Sequence, residues 1–323
     1  MSSRSAALSR LSTRADPGVA ALLAATTIWG ATYVVTKSAL ADIGPMTILL
    51  ARCVIGAIFL APFAYRKGFR LRDSFKAPFV LFGFTGIVLH LGLEIAGLEF
   101  TSASSAALIV ASAPAVIAGL SVIFLKEKMT VLKSAGVVLS VAGVLLVTRA
   151  APSDTYPLAW LGNLMVFGGV LTWGIFTIQG KRISSSYPWQ VSTTAATVAA
   201  AVITLPIAGA ELALSGPIRI TPGGIAALLY LGAGASAAAY GLWNLALHHV
   251  DASVAGPYVN LVPVIGVTLA LLVGETIGPL QIAGGLVVGL GVWLSHRSSK
   301  PLEGAASRRD TSGFRAQHEM ADC

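Results

Sequence analysis

From Phe100 to Leu125 the chain carries no charged residue, and Pro114 sits in the middle of that run. About 20 apolar residues in a row suffice to cross the hydrocarbon core of a bilayer. A proline inside a helix removes a backbone donor and clashes with the preceding turn. The stretch therefore asks for a membrane-spanning helix that is weakened at its centre. The composition agrees: of 323 residues 55% are hydrophobic and 11% charged, with a mean hydropathy of +0.78. Soluble domains carry about 25% charged residues, so this chain has too few to cover a water-facing surface.

Ten segments of this kind are expected, near residues 18–37, 45–65, 77–98, 101–125, 131–148, 157–180, 187–209, 222–247, 252–274 and 278–296. The long runs do not alternate as the strands of a transmembrane barrel do. The fold class is all-α integral membrane. The connections leave no room for a soluble domain.

Basic residues set the orientation. The amino-terminal arm, the loop RKGFRLRDSFK, the flanks of the fourth and sixth loops and the carboxyl tail all fall on one side of a ten-span count. Only Lys37, Arg149 and Arg219 fall opposite, with Arg52 inside the second span. The positive-inside rule places both termini in the cytoplasm of a cell (plasma or inner) membrane. It also accounts for the net charge of +8, so no nucleic-acid partner is expected. Gly18–Thr36 is longer than the apolar core of a signal peptide and reads as an uncleaved first span. Cys53 lies in a span and Cys323 ends the chain, which implies no disulfide framework. The polar, aperiodic segment 297–323 is expected to be disordered.

The two halves repeat. WGATYVVTK at 29–37 matches WGIFTIQGK at 173–181, at an offset of 144. ASSAALIVASAPAVIAGLSVIFLKE at 103–127 matches ASVAGPYVNLVPVIGVTLALLVGE at 252–275, with Pro114 on Pro263 and, one gap later, Glu127 on Glu275. Gly136 and Gly143 then meet Gly284 and Gly291. Each half holds five spans, an odd number, so the second half enters the membrane from the opposite side. The domains follow: an arm at 1–17, one five-helix repeat at 18–149, an inverted one at 157–296, and the tail. Inverted repeats with interrupted helices are an architecture of secondary transporters. Both prolines fall near mid-membrane, where free carbonyls are tolerated only against protein or a watery cavity. Pro114 and Pro263 are thus candidate hinges, a static kink being the alternative.

The ordered recurrence of these features resembles the drug/metabolite transporter superfamily, specifically its ten-span EamA-type members, over residues 18–296. The features are the WG pairs, the Ala-Ser entries to spans 4 and 9, their prolines and the following glutamates. The resemblance implies a central cavity lined mainly by spans 1, 3, 4, 6, 8 and 9. It also implies transport of amino acids, other metabolites, nucleotide sugars or drugs.

Ionisable groups inside spans are costly and are functional candidates by default. Arg52 and Glu94 enter the membrane at similar depth and could pair. Arg52 is read as a structural charge. His90 lies one turn before Glu94 on the same helix face, and the two together could hold a proton or an ammonium group. Alternatively, Glu94 only reaches the interface. Ser236, Tyr240, Asn244 and His248 form a stripe on span 8, beside Trp243. Trp29 and Tyr33 on span 1, Trp173 and Gln179 on span 6, and Tyr258 and Asn260 on span 9 complete the candidate lining. Aromatic walls with a few polar groups suit small amphiphilic solutes; helix packing is the other reading of the tryptophans.

No P-loop, metal-ligand cluster or nucleophile elbow is legible. The expectation is a non-enzyme with no cofactor and no metal. It is a secondary transporter that exports a small amphiphilic metabolite or drug by alternating access, with protons as a candidate coupling ion. The rival is a membrane sensor or assembly protein that binds a ligand in the same cavity without moving it.

Overall fold

In hydrocarbon every backbone polar group must be satisfied within the protein, which leaves a chain of long apolar runs only the helix. A computed structural model of the chain describes residues 17–125, 130–149, 156–183, 186–216, 218–247 and 256–297. Among them are ten helical spans and no strand. They are α1 (Pro17–Ala39), α2 (Pro45–Tyr65), α3 (Ala77–Phe100), α4 (Ala103–Val110 and Ala113–Leu125) and α5 (Val131–Thr148). The second set is α6 (Ala159–Ile183), α7 (Trp189–Ser215), α8 (Pro222–Leu229 continuing to Leu247), α9 (Gly256–Asn260 and Leu261–Leu272) and α10 (Pro279–Arg297). Eight are long and apolar enough to cross a bilayer, and α9 and α10 contribute the shorter apolar stretches Tyr258–Leu272 and Pro279–Leu294. The outward side chains are apolar too, Ile58, Phe63, Val138 and Leu286 among them.

Contacts between the helices obey a two-fold exchange of spans one to five with six to ten. The helix α1 packs on α8 and α9, and α6 packs on α3 and α4; α2 meets α7, α4 meets α9 and α5 meets α10. Reciprocal pairing of this kind is the mark of a two-fold axis, here relating two repeats that enter the membrane from opposite sides. On the α5–α10 pair it reaches single residues: Gly143 faces Gly284, and Gly291 faces the carbonyl of Gly136. These glycines let two backbones approach where a side chain would hold them apart.

The interruptions recur as well. A π-helical segment, Phe84–Leu89, divides α3, and another, Tyr230–Ala238, divides α8. The first packs on α6 and α7, the second on α1 and α2. The fourth spans of the two repeats break at the prolines, though not as kinks within continuous helix. In α4 a turn at Ala111–Ser112 separates two helices, and Pro114 is the second residue of the latter. In α9 a 3₁₀ segment ends at Asn260, and Pro263 is the third residue of the following helix. Proline belongs in a first helical turn, where no partner is needed for its missing N–H.

The end of the bundle opposite Pro17 and Arg297, the distal end, is held by polar contacts, most of them between repeats. Glu275 accepts hydrogen bonds from the amides of Ala103 and Ser104, each at 2.9 Å, at the start of α4. Glu211 does the same for α2, accepting from the amides of Met46 and Thr47 at 2.9 and 2.8 Å. A carboxylate at a helix N-terminus satisfies orphan donors and meets the positive end of the dipole. Gln281 donates to Ser105 Oγ at 2.6 Å, and Thr221 to Asp42 at 3.0 Å. Lys37 donates to the carbonyls of Leu98 and, at 2.7 Å, Thr101, and its ammonium lies 4.3 Å from the centre of the Tyr156 ring.

Candidate functional site

The two π-helical segments place polar groups at the middle of the bundle. In α8 the segment presents Tyr230 and Ser236. Tyr230 donates to the carbonyl of Ile28 on α1 at 2.7 Å. Ser236 gives its own proton to Leu231 O at 3.0 Å and accepts from Arg52 Nε at 2.8 Å. In α3 the segment is followed directly by His90, whose Nδ1 lies 2.9 Å from the carbonyl of Gly169 on α6. A carbonyl only accepts, so Nδ1 carries the hydrogen. In the neutral ring Nε2 then offers a lone pair, and it faces Glu94 Oε2 at 3.9 Å.

Arg52 and Glu94 are both buried. The pairing that their similar depth suggested is not formed: among the described residues no ion pair joins them. The physical reason is the Ser236 hydroxyl, which draws the guanidinium toward α8. The Arg52 charge still acts on Tyr33, His90, Glu94 and Tyr240. So α2, which is not among the spans that the resemblance gives the cavity, sends one side chain into the centre.

Aromatic rings flank this polar group from both repeats. On one side Trp29 stands 5.4 Å from Tyr240, edge to face, and 5.6 Å from Trp243. Its indole Nε1 donates to Ala235 O at 3.1 Å. On the other side Trp173 lies 5.0 Å from the His90 ring and 5.1 Å from Phe176, which stacks on Phe82 at 4.1 Å. Between them is a small cavity of about 30 Å³, bordered by Arg52, Phe82, Phe176, Thr197, Ser236 and Tyr240. That volume suits a single water molecule.

Of the expected lining residues, Trp29, Tyr240 and Trp243 form one aromatic group and His90, Glu94 and Trp173 another. Tyr240 borders the small cavity, Tyr33 is buried in the core with Ala107 and Val262, and Trp243 also packs beside Leu22 and Ala246. Others go elsewhere. Gln179 accepts from Thr85 Oγ1 at 2.7 Å and ties α6 to α3. Tyr258 packs with Leu22, Leu242 and Ala246 near the start of α1. Asn260 is exposed and borders a separate cavity of about 640 Å³ with Pro263, Val264, Val267, Leu286 and Trp293. Val264 and Leu286 are 59% and 71% exposed, so this groove opens on the lipid side and offers little to a polar solute. The Asn244 side chain and His248 lie outside the described residues, as does Glu127. Thr193 and Thr197 of α7, which border the central cavity, carried no signal in the sequence: threonines are common in apolar helices.

Comparison with known proteins agrees with this architecture. The sequence pattern of the EamA-like transporter family matches twice, over residues 16–149 and 160–297. An uncharacterized transporter of Bacillus subtilis, YyaM, is 28% identical over 272 residues, covering 81% of this chain and 88% of that protein. A probable amino-acid metabolite efflux pump of Salmonella typhimurium is 26% identical over 279 residues, covering 83% and 91%. One crystal structure, 17% identical, superposes with a TM-score of 0.61 over 88% of this chain and 99% of its own, and shares the fold. Two matched repeats, five helices to each, make the chain a member of the EamA-like transporter family, a multi-pass membrane protein that takes a small molecule as substrate.

Proposed function

We propose that the protein exports a small amphiphilic, amino-acid-like metabolite or a drug by alternating access. The observation that carries the reading is the pair of buried charges, Arg52 and Glu94, with half-buried His90 and Tyr240 beside them, set between aromatic walls from both repeats. Buried charges in a bundle core are expensive and are retained where they meet a solute or ion. The efflux-pump relative supports an amino-acid-like cargo.

In this reading the repeats, 18–149 and 157–296, rock against each other. The breaks before Pro114 and Pro263 are the flexible points, because the turn at Ala111–Ser112 and the 3₁₀ segment ending at Asn260 interrupt the helical ladder there. Glu275, Glu211 and Gln281 close the distal end by bonds between the repeats, and the distribution of basic residues assigns that end to the outside of the cell membrane. Parting those contacts opens the centre outward. No nucleotide-binding motif is present in the sequence, so the energy comes from gradients. Glu94 and His90 are the groups that hold a coupling proton.

Counterflow in proteoliposomes tests this. Vesicles loaded with unlabelled amino acid or drug should transiently accumulate the labelled compound. Binding of a solute without counterflow of it would favour a sensor.

A further inference from the structure

Arg52 and Glu94 are opposite charges on packed helices, 6% and 7% exposed, close enough to act on each other and yet not joined. Each is short of partners. A guanidinium has five N–H donors, and among the described residues Arg52 uses one, on Ser236. The Glu94 carboxylate accepts no hydrogen bond among the described residues, and His90 Nε2 at 3.9 Å is its polar neighbour. Arg52 borders the central cavity, as does Leu91, one turn before Glu94 on α3. Two unpaired buried charges held apart are costly. A third body that carries both complementary charges relieves the cost at both ends.

We infer that Arg52 and Glu94 read the two ends of a zwitterion: the guanidinium takes the carboxylate of the solute and Glu94 takes its ammonium. The inference rests on the carrier reading above and specifies its cargo. Arg52 is then a specificity residue rather than a brace. Guanidinium and carboxylate meet in a two-pronged geometry that neither a neutral amide nor an amine reproduces. The cavity of about 30 Å³ is too small for an amino acid, so the solute occupies this position only once the repeats have parted.

The test uses the full chain in proteoliposomes with labelled leucine as the probe. The competitors are leucine, leucinamide (ammonium only) and N-acetylleucine (carboxylate only). Each one-charge analogue should compete about tenfold or more weakly than leucine, the usual scale for losing one charged hydrogen-bond partner. In Arg52→Gln leucinamide should compete as well as leucine. In Glu94→Gln N-acetylleucine should. Arg52→Lys keeps the charge but not the two-pronged geometry, so it should keep the order of the three compounds with a smaller gap between leucine and leucinamide. For a variant without flux, the same ratios are read by tryptophan fluorescence titration in detergent, with gel filtration to verify folding. Equal competition by all three compounds in the wild type, or a parallel loss for all three in Arg52→Gln, overturns the inference. Counterflow of a singly charged solute without any response to leucine or another α-amino acid overturns it too, while the carrier reading stands. Leucine binding with the expected ratios but no counterflow keeps the charge reader and overturns the carrier.

Discussion

Gly143 of α5 lies against Gly284 of α10. A Cβ placed on Gly143 would stand 2.7 Å from the Gly284 carbonyl oxygen, and one placed on Gly284 would stand 2.8 Å from that of Gly143. Neither backbone can yield without separating the two helices. Gly143→Val or Gly284→Val should therefore destabilise the protein by about 1–3 kcal/mol, the usual cost of overpacking. Thermal unfolding in detergent should show the loss. Gly209→Ala, inside α7 where a Cβ meets nothing within 4 Å, is the control and should hold or slightly raise the melting temperature, since Ala favours the helix.

Glu275 satisfies two amides at the start of α4 from the other repeat, so it both caps a helix and closes the distal end. Glu275→Ala should cost about 1 kcal/mol of capping energy and loosen that closure. In a background lacking Cys53 and Cys323, a cysteine in place of Ala103, which is 1% exposed, should react slowly with a membrane-impermeant thiol reagent. Adding Glu275→Ala should speed the reaction several-fold.

Tyr240 and Asn260 were both expected to line one cavity, and they lie in different ones. Tyr240→Ala removes part of the central wall beside Trp29 and should raise the KM for transport about tenfold, on the scale of losing an aromatic contact. Asn260→Ala should leave KM within error. A reversed pattern would move the site to the lipid-side groove.

With Nδ1 of His90 turned to Gly169 O, Nε2 and Glu94 Oε2 face each other at 3.9 Å, beyond hydrogen-bond reach but near enough for the carboxylate to stabilise a proton on the imidazole. If this pair carries the coupling proton, transport should vary with pH in the wild type and lose that variation in Glu94→Gln. A variant that keeps the wild-type pH profile would remove the proton from the pair.

Much of the fold was legible because its signals are physical and local. Charge-free runs gave the spans, and recurrence of the Trp, Pro and Gly positions gave the repeats. Span 7 ended late: it was expected to stop at 209 and runs to Ser215. Glu211 stays within the helix because the N-terminus of α2 neutralises it, a partner that no local pattern reveals. The π-helical segments were equally silent, being built from the same small and apolar residues as their surroundings, FTGIVL in α3 and YLGAGASAA in α8. At the site, Trp29, Tyr240, His90 and Glu94 stood out as polar or aromatic residues deep in apolar helices. The direction of Arg52 did not, since it depends on Ser236, 184 positions away in the chain.

The central claim is that the two repeats lie upside down relative to each other across one membrane. It is tested most directly by paired cysteine labelling, at Ala41 between α1 and α2 and at Ser186 between α6 and α7, both exposed. Ala41→Cys should react with an impermeant reagent on intact cells, and Ser186→Cys only after permeabilisation. Reaction of both from the same side would contradict the inverted arrangement and the carrier mechanism built on it.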